Sequence, residues 1–434
     1  MRFNLGSYKR KNKLFVIIII IHALFFAVKV ILGNFFLNDS YEYWHLATNI
    51  KNSFEFYSTD INSKIIFENY TKRPPLYGLF ILFSSFLLHS KITVLIFQNA
   101  LSIISVFISL KLFNDYYKQI NQKIYIAFFI TSLSQFIYSN YIMSEILFQF
   151  FIIVLCYLFR EIITKKSATH LFLFQITIVL LFLTKPIFYL FIIPNILLSF
   201  WFTKHVKRAY LFSLMPIIVF FLYINWNNQR TGSFEFSSIQ NINLKNYNLY
   251  YFHVSKYGEE YALNINTEIT EEANNKATYA KKQKFIKEKS LYYITKDWAS
   301  YTLKHVIGSF RMFLDPGRFD IYNFLEFKNN SEVGFLKHLN ENGFIGALEY
   351  FKKQPFLILI VIPVILLFNV FKIVGFILFW IKNHKKTPAV FWFMLFIITY
   401  FVVLTGIIGA ARFLVPILPI YLLFATLGYS KRLK

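Results

Sequence analysis

The chain has 434 residues, of which 56% are apolar and 21% aromatic, and 46 lysines and arginines stand against 22 acids, a formal net charge of +24. Mostly apolar runs of about 17–25 residues, the length that crosses a bilayer core, recur along it; this excludes a soluble domain, and the basic excess reads as topology-setting charge in cytoplasmic loops rather than a nucleic-acid surface. The single cysteine, Cys156, lies in an apolar run, which excludes disulfides within the chain and argues against a cysteine-based metal site.

In chain order, a basic start (residues 1–13) precedes a long apolar stretch. Its opening resembles that of a signal peptide, but the stretch is too long and no small-residue cleavage site follows, so it reads as an uncleaved first span. Eleven apolar runs fall near residues 13–36, 76–90, 91–112, 124–141, 142–161, 169–184, 186–203, 208–226, 355–381, 388–406 and 410–429. Six basic clusters punctuate them: Arg2 to Lys13, Lys111/Lys118/Lys123, Arg160/Lys165/Lys166, Lys204/Lys207/Arg208, Lys382/Lys385/Lys386 and Lys431/Arg432/Lys434. Placing all six in the cytoplasm predicts ten spans with both termini inside. The short run 76–90, which begins behind Pro74-Pro75, then dips into or lies along the outer leaflet. The division is an N-terminal membrane module (1–226) with its first outer loop at 37–90, an outer segment (227–354) of amphipathic helices, and C-terminal membrane helices (355–434). There is no internal repeat, no glycine-rich phosphate loop and no His/Cys cluster at metal spacing.

This topology brings Asp39, Glu42, Lys72, Arg73, Glu145, Lys185, Arg230, Arg311, Arg318 and Arg412 to outer membrane ends. Charges in or beside spans are costly, which makes them functional candidates. Within "NDSYEYWHLA" (38–47), Tyr43, Leu46 and Ala47, followed by Ile50, have the spacing of one helix face. Asp39 reads both as the helix N-cap, with Glu42 completing a capping box, and as a carboxylate aimed into a site; the two are compatible. In "TKRPPLYGLF" (71–80), two cations precede a proline-led helix start, an arrangement suited to a phosphate or to a lipid headgroup. Glu145 opens a span, Lys185 sits at a Pro-broken corner, and Arg412 begins the last span; snorkelling or ion pairing is the simpler reading for Glu145 and Arg412.

In this order the set resembles the GT-C fold glycosyltransferases, in particular the family of protein mannosyltransferases and the aminoarabinose transferase of lipid A. The matching elements are D-S-x-x-Y-x-x-x-A (Asp39, Ser40, Tyr43, Ala47), R-P-P-L-Y (Arg73 to Tyr77), Ser144-Glu145, T-K-P (Thr184 to Pro186), "WNNQRTGSFEFSS" (226–238) and "ARFLVPILPIYLLFA" (411–425). Ser40 stands where the family often has a second acid.

The resemblance implies an all-α, GT-C-like bundle of about ten transmembrane helices in the cell membrane. Its active site would face outward and move a sugar from a polyprenyl-phosphate carrier to a lipid, glycan or protein acceptor, with inversion. On that reading Asp39 is the base, Arg73 binds the donor phosphate with Lys72, Lys185 and Arg412 beside it, and Glu42, Tyr43 and Glu145 contact sugar or acceptor. No cofactor is certain. Some relatives use a divalent ion and others do not, and Asp39 with Glu42 leaves a metal open. Three other classes compete: a secondary transporter, which places its polar groups at the membrane midplane in repeated halves, a lipid-linked polysaccharide polymerase or ligase, and a non-enzymatic membrane scaffold, which would not require convergent acids and bases.

Overall fold

The structure is a computed structural model that describes residues 5–88, 90–117, 120–327 and 352–430. Arg2, Lys118, Lys431, Arg432, Lys434 and residues 328–351 of the 227–354 segment lie outside the described residues. The described chain is 81% helix and contains no strand. Among the described residues seven helices are long and apolar enough to cross a membrane, at Lys13–Leu32, Lys91–Asn114, Glu145–Lys165, Ala209–Thr231, Phe356–Lys386, Ala389–Ile408 and Ala411–Gly428. This architecture is consistent with a helical membrane protein, and these seven coincide with seven of the ten expected spans.

The first part of the chain builds α1 (Leu5–Leu32) and α2 (Asn38–Ser53), then short α3 (Glu68–Thr71) and α4 (Pro75–Leu88). The spacing read from the sequence holds for α2: Tyr43, Leu46, Ala47 and Ile50 are all buried on one face. They pack on α4, where Gly78 lies so close to Leu46 that a Cβ there would sit 2.8 Å from the leucine side chain. The 14-residue α4 is shorter than a bilayer core requires.

The expected span at 124–141 is broken. After α5 (Lys91–Asn114) come α6 (Gln122–Ile130) and α7 (Leu133–Ser139), separated at Thr131-Ser132 without a proline. The buried ammonium of Lys372 closes the break, donating to the Thr131 carbonyl, the Ser132 hydroxyl and the Asn369 side chain. A second break, between α7 and α8 (Glu145–Lys165), runs through Asn140 to Ser144. Gln98 and Asn99 of α5 donate to the Ser139 carbonyl, Gln98 also to that of Tyr141, and Ile142 N–H reaches the Phe35 carbonyl. Intramembrane side-chain hydrogen bonds are worth about 0.6–2 kcal/mol each, whereas an unsatisfied peptide group in lipid costs several. Making this unwound stretch tolerable is therefore the main effect of the amides.

α9 (Ala168–Thr184) ends at Lys185, whose extended backbone fits the residue before Pro186. After a short 3₁₀ turn comes α10 (Ile192–Phe202), and then α11 (Leu214–Thr231). The following segment is helical: α12 (Ile239–Asn243), α13 (Tyr250–Tyr257), α14 (Glu259–Asn274), α15 (Tyr279–Lys296), α16 (Trp298–Leu314) and α17 (Arg318–Phe324). It has a small core of its own around Leu249, Ile269, Ala273, Ile286 and Ile294. The last helices are α18 (Phe356–Asn383), α19 (Ala389–Thr405) and α20 (Leu418–Gly428). Gly375 of α18 and Gly428 of α20 meet backbone to backbone, with no room for a Cβ, the small-residue contact that lets membrane helices approach closely.

Candidate functional site: an ionic cluster at one end of the bundle

The sequence elements place their charges at one end of the bundle for local reasons. Ser40 Oγ accepts the Leu37 N–H at the start of α2, so Leu37 is the N-cap residue and Asp39 lies inside the first turn. This corrects the capping expectation for Asp39: its carboxylate is turned away from the helix end, toward two arginines. Arg73 precedes Pro74, and Pro75 opens α4, which holds Lys72 and Arg73 just ahead of that helix. The unwound stretch after α7 delivers Glu145 to the same place. Asp315 fixes the approach of Arg412, because its carboxylate accepts the Ala411 N–H (2.6 Å) and the Gly317 N–H (3.0 Å).

The result is one connected ion cluster. Arg73 spans two acids, Nε to Glu42 at 2.6 Å and Nη2 to Asp39 at 2.8 Å. Lys72 Nζ pairs with the other Glu42 oxygen at 2.8 Å. Arg412 also spans two, Nη2 to the second Asp39 oxygen at 2.7 Å and Nε to Glu145 at 2.6 Å. Lys185 Nζ completes it at 2.8 Å from Glu145. Asp39 and Arg412 are the most open members, at 29% and 26% side-chain exposure, while Glu145 at 1% forms the floor. The mouth of the cluster is thus where Asp39 meets Arg412.

Four cations, Lys72, Arg73, Lys185 and Arg412, face three carboxylates, Asp39, Glu42 and Glu145. The surplus is one positive charge, and one buried oxygen of Glu145 (Oε2) has no hydrogen-bond partner. Burial by itself would raise the Asp39 pKa, but the Arg73 and Arg412 guanidinia outweigh it and hold the carboxyl well below the usual carboxylate range. Burial lowers the Lys185 ammonium, against the opposing pull of Glu145.

Tyr43 is a wall of this site. It is buried, its hydroxyl lies 3.0 Å from Ser144 Oγ, its ring carries the Arg73 guanidinium at 4.9 Å, and Tyr77 packs edge-on against it. Arg230 is held elsewhere, over the Trp226 ring and on the Phe56 carbonyl. Arg311 is exposed on α16, and Arg318 lies over the Tyr322 ring. These three do not share the ion pairs described for the cluster.

Sequence reading passed over Tyr138, Asp315 and Asp320. The Tyr138 ring lies 5.8 Å from the Arg412 guanidinium carbon, and its hydroxyl donates to Asp320 at 2.7 Å. The available signal was "DPGRFD" (315–320), a Pro-Gly turn carrying two acids within the 227–354 segment. Among the described residues no three His, Cys, Asp or Glu converge as a metal-binding group. Asp39 and Glu42 are turned to shared cations, so the donor set of a resident divalent ion is not assembled.

A scan of family models, a search of curated proteins and a search of solved structures each found no match to this chain.

Proposed function

We propose that the chain is a membrane glycosyltransferase that moves a sugar from a polyprenyl-phosphate carrier to an acceptor hydroxyl at the outer face of the membrane. The observation that carries this reading is the ion cluster itself. Segments far apart in sequence bring four cations and three carboxylates to one end of apolar helices, with one positive charge in excess. A sugar-phosphate diester carries one negative charge and would neutralise that excess, and its polyprenyl chain would remain in lipid.

In the transfer, the acceptor oxygen bonds to the anomeric carbon as the bond from that carbon to the phosphate oxygen breaks. Asp39 takes the acceptor proton, and the leaving phosphate gains a negative charge that Arg73 and Arg412 stabilise. The pairing seen here keeps Asp39 a weak base. An anion that engages Arg73 and Arg412 draws them from Asp39, which raises its basicity when donor is in place. Lys72 and Lys185 hold Glu42 and Glu145 and support the positive field. The chain would sit in the cell membrane as a multi-pass protein with about ten crossings in a GT-C-like arrangement, with 76–90 not crossing.

A transporter also uses broken helices, but at the α6–α7 break the Thr131 carbonyl and the Ser132 hydroxyl are already taken by Lys372. Mass spectrometry of glycolipids and glycoproteins from cells with and without the gene tests the function. Loss of one sugar from a defined acceptor is expected, and identical glycan profiles in both would overturn the reading.

A further inference from the structure

The cluster also reaches past its carboxylates through Arg412, to Tyr138 and Asp320. Tyr138 is buried on α7, and its ring faces the Arg412 guanidinium while its hydroxyl is donated to Asp320 of α17. Asp320 follows the Asp315-Pro316-Gly317 turn, whose Asp315 holds the backbone one residue before Arg412. The two acids therefore reach the Arg412 segment twice, Asp315 by accepting the Ala411 N–H and Asp320 through the Tyr138 ring. Arg412 is one of the two cations that the proposed function assigns to the phosphate, and it lies at the open mouth.

We propose that Asp320 is a positioning residue that sets, through Tyr138, how strongly Arg412 holds an incoming anion. The ionised carboxylate keeps Tyr138 in place beneath Arg412 and opposes a second negative charge there; the protonated carboxyl removes that opposition. This inference rests on the proposed function, because it takes the anion to be the donor phosphate.

The surroundings of Asp320 suit a group that changes charge near neutrality. Burial pushes its carboxyl up to about 7, with Asp315 and Glu145 adding to the rise, and the Tyr138 hydroxyl and Arg412 opposing it. Its neighbourhood on the other packed elements is Tyr141, just beyond α7, which Lys29 of α1 approaches at 3.3 Å, and Glu326, paired to Lys29 at 3.6 Å. Arg318 lies on the same helix over Tyr322. A unit charge about 10 Å from a bound anion, at an effective dielectric near 20, changes affinity by roughly fifteenfold without salt and by about threefold once screened over a Debye length.

The experiment is binding of a farnesyl methyl phosphodiester to the purified full chain in nanodiscs, at constant ionic strength from about pH 5.5 to 8.5. The probe's single charge does not titrate in that window. For the unaltered protein, affinity should fall between about threefold and tenfold as pH rises through the Asp320 transition. Asp320→Asn, which keeps an acceptor for the Tyr138 hydroxyl, should bind as tightly as the unaltered protein at low pH and show no step. Tyr138→Phe removes a hydrogen bond that favours the ionised form, so its step should move to higher pH. A step retained in Asp320→Asn, or a flat profile in the unaltered protein, overturns the Asp320 proposal alone. Failure of the unaltered protein to bind the diester at any pH overturns the donor reading and this inference together.

Discussion

Helix α8 carries an ion cluster at each end, and the two are built differently. A helix of 21 residues is about 30 Å long, enough to hold them on opposite sides of a bilayer core. At the Lys165 end, Arg160 pairs with Asp115 at 2.8 Å and with its neighbour Glu161; Lys165, one turn on, pairs with Glu161 at 2.6 Å, and His170 lies 3.9 Å away. Two fixed cations meet two acids, and three of the four groups lie within six residues of α8. At the Glu145 end, the partners come from α2, the α3–α4 link, the end of α9 and the start of the last span, and one positive charge is left over. A balanced, local cluster is what pinning a helix end requires. A surplus charge gathered from distant segments costs stability, since burying ions is expensive, and the proposed donor phosphate would offset it.

Substitutions at the two ends should separate these roles. The largest effect is expected for Asp39→Asn, which removes the proposed proton acceptor at nearly constant shape. Transfer, normalised to protein level, should fall by about 10²–10⁴-fold while donor binding persists. Its counterpart Glu161→Gln should keep transfer within about twofold, because sites this far apart act independently. Near-normal turnover of Asp39→Asn would move the base to Glu42 or Glu145.

Arg412→Ala removes the cation that joins Asp39 to Glu145. It should cost on the order of 10²–10³-fold in transfer, with Arg160→Ala as the silent comparison; equal losses from both would mean that the effects are ones of folding. Arg73→Ala should cost roughly a hundredfold. Arg73→Lys should recover part of this, since charge survives while the two-pronged grip on Asp39 and Glu42 does not. Identical rates for the Ala and Lys variants would show that charge at this position is irrelevant.

The smallest effect concerns pH. Asp39 has a depressed pKa in the fold, so its stabilising contribution is complete above the unfolded value of about 4 and is lost only as pH falls below it. The difference in melting temperature between the unaltered protein and Asp39→Asn should therefore stay constant from about pH 8 to 5 and shrink below about pH 4. Shrinkage already at neutral pH would show that the arginines do not hold the carboxylate as described.

Part of this molecule was legible in its sequence because the responsible forces are local. Hydropathy over a window marks a helix that can span lipid, and it located seven of the expected ten spans as long helices. The 3.6-residue period marked the buried face of α2, and Pro74 and Pro186 marked where the backbone leaves helical geometry, which is why Arg73 and Lys185 emerge where they do. Tertiary structure alone decided the long-range pairings. The 124–141 run breaks without a proline because Lys372, 240 residues away from Ser132, supplies the missing hydrogen bonds. Asp39 is not a cap because Ser40 takes the helix end and Arg412, 373 residues away, takes the carboxylate. Tyr138 and Asp320 become partners across 182 residues. Burial and helix period are averages over neighbouring residues, which a sequence displays directly. An ion pair or hydrogen bond is a single contact between residues that only the folded bundle makes neighbours.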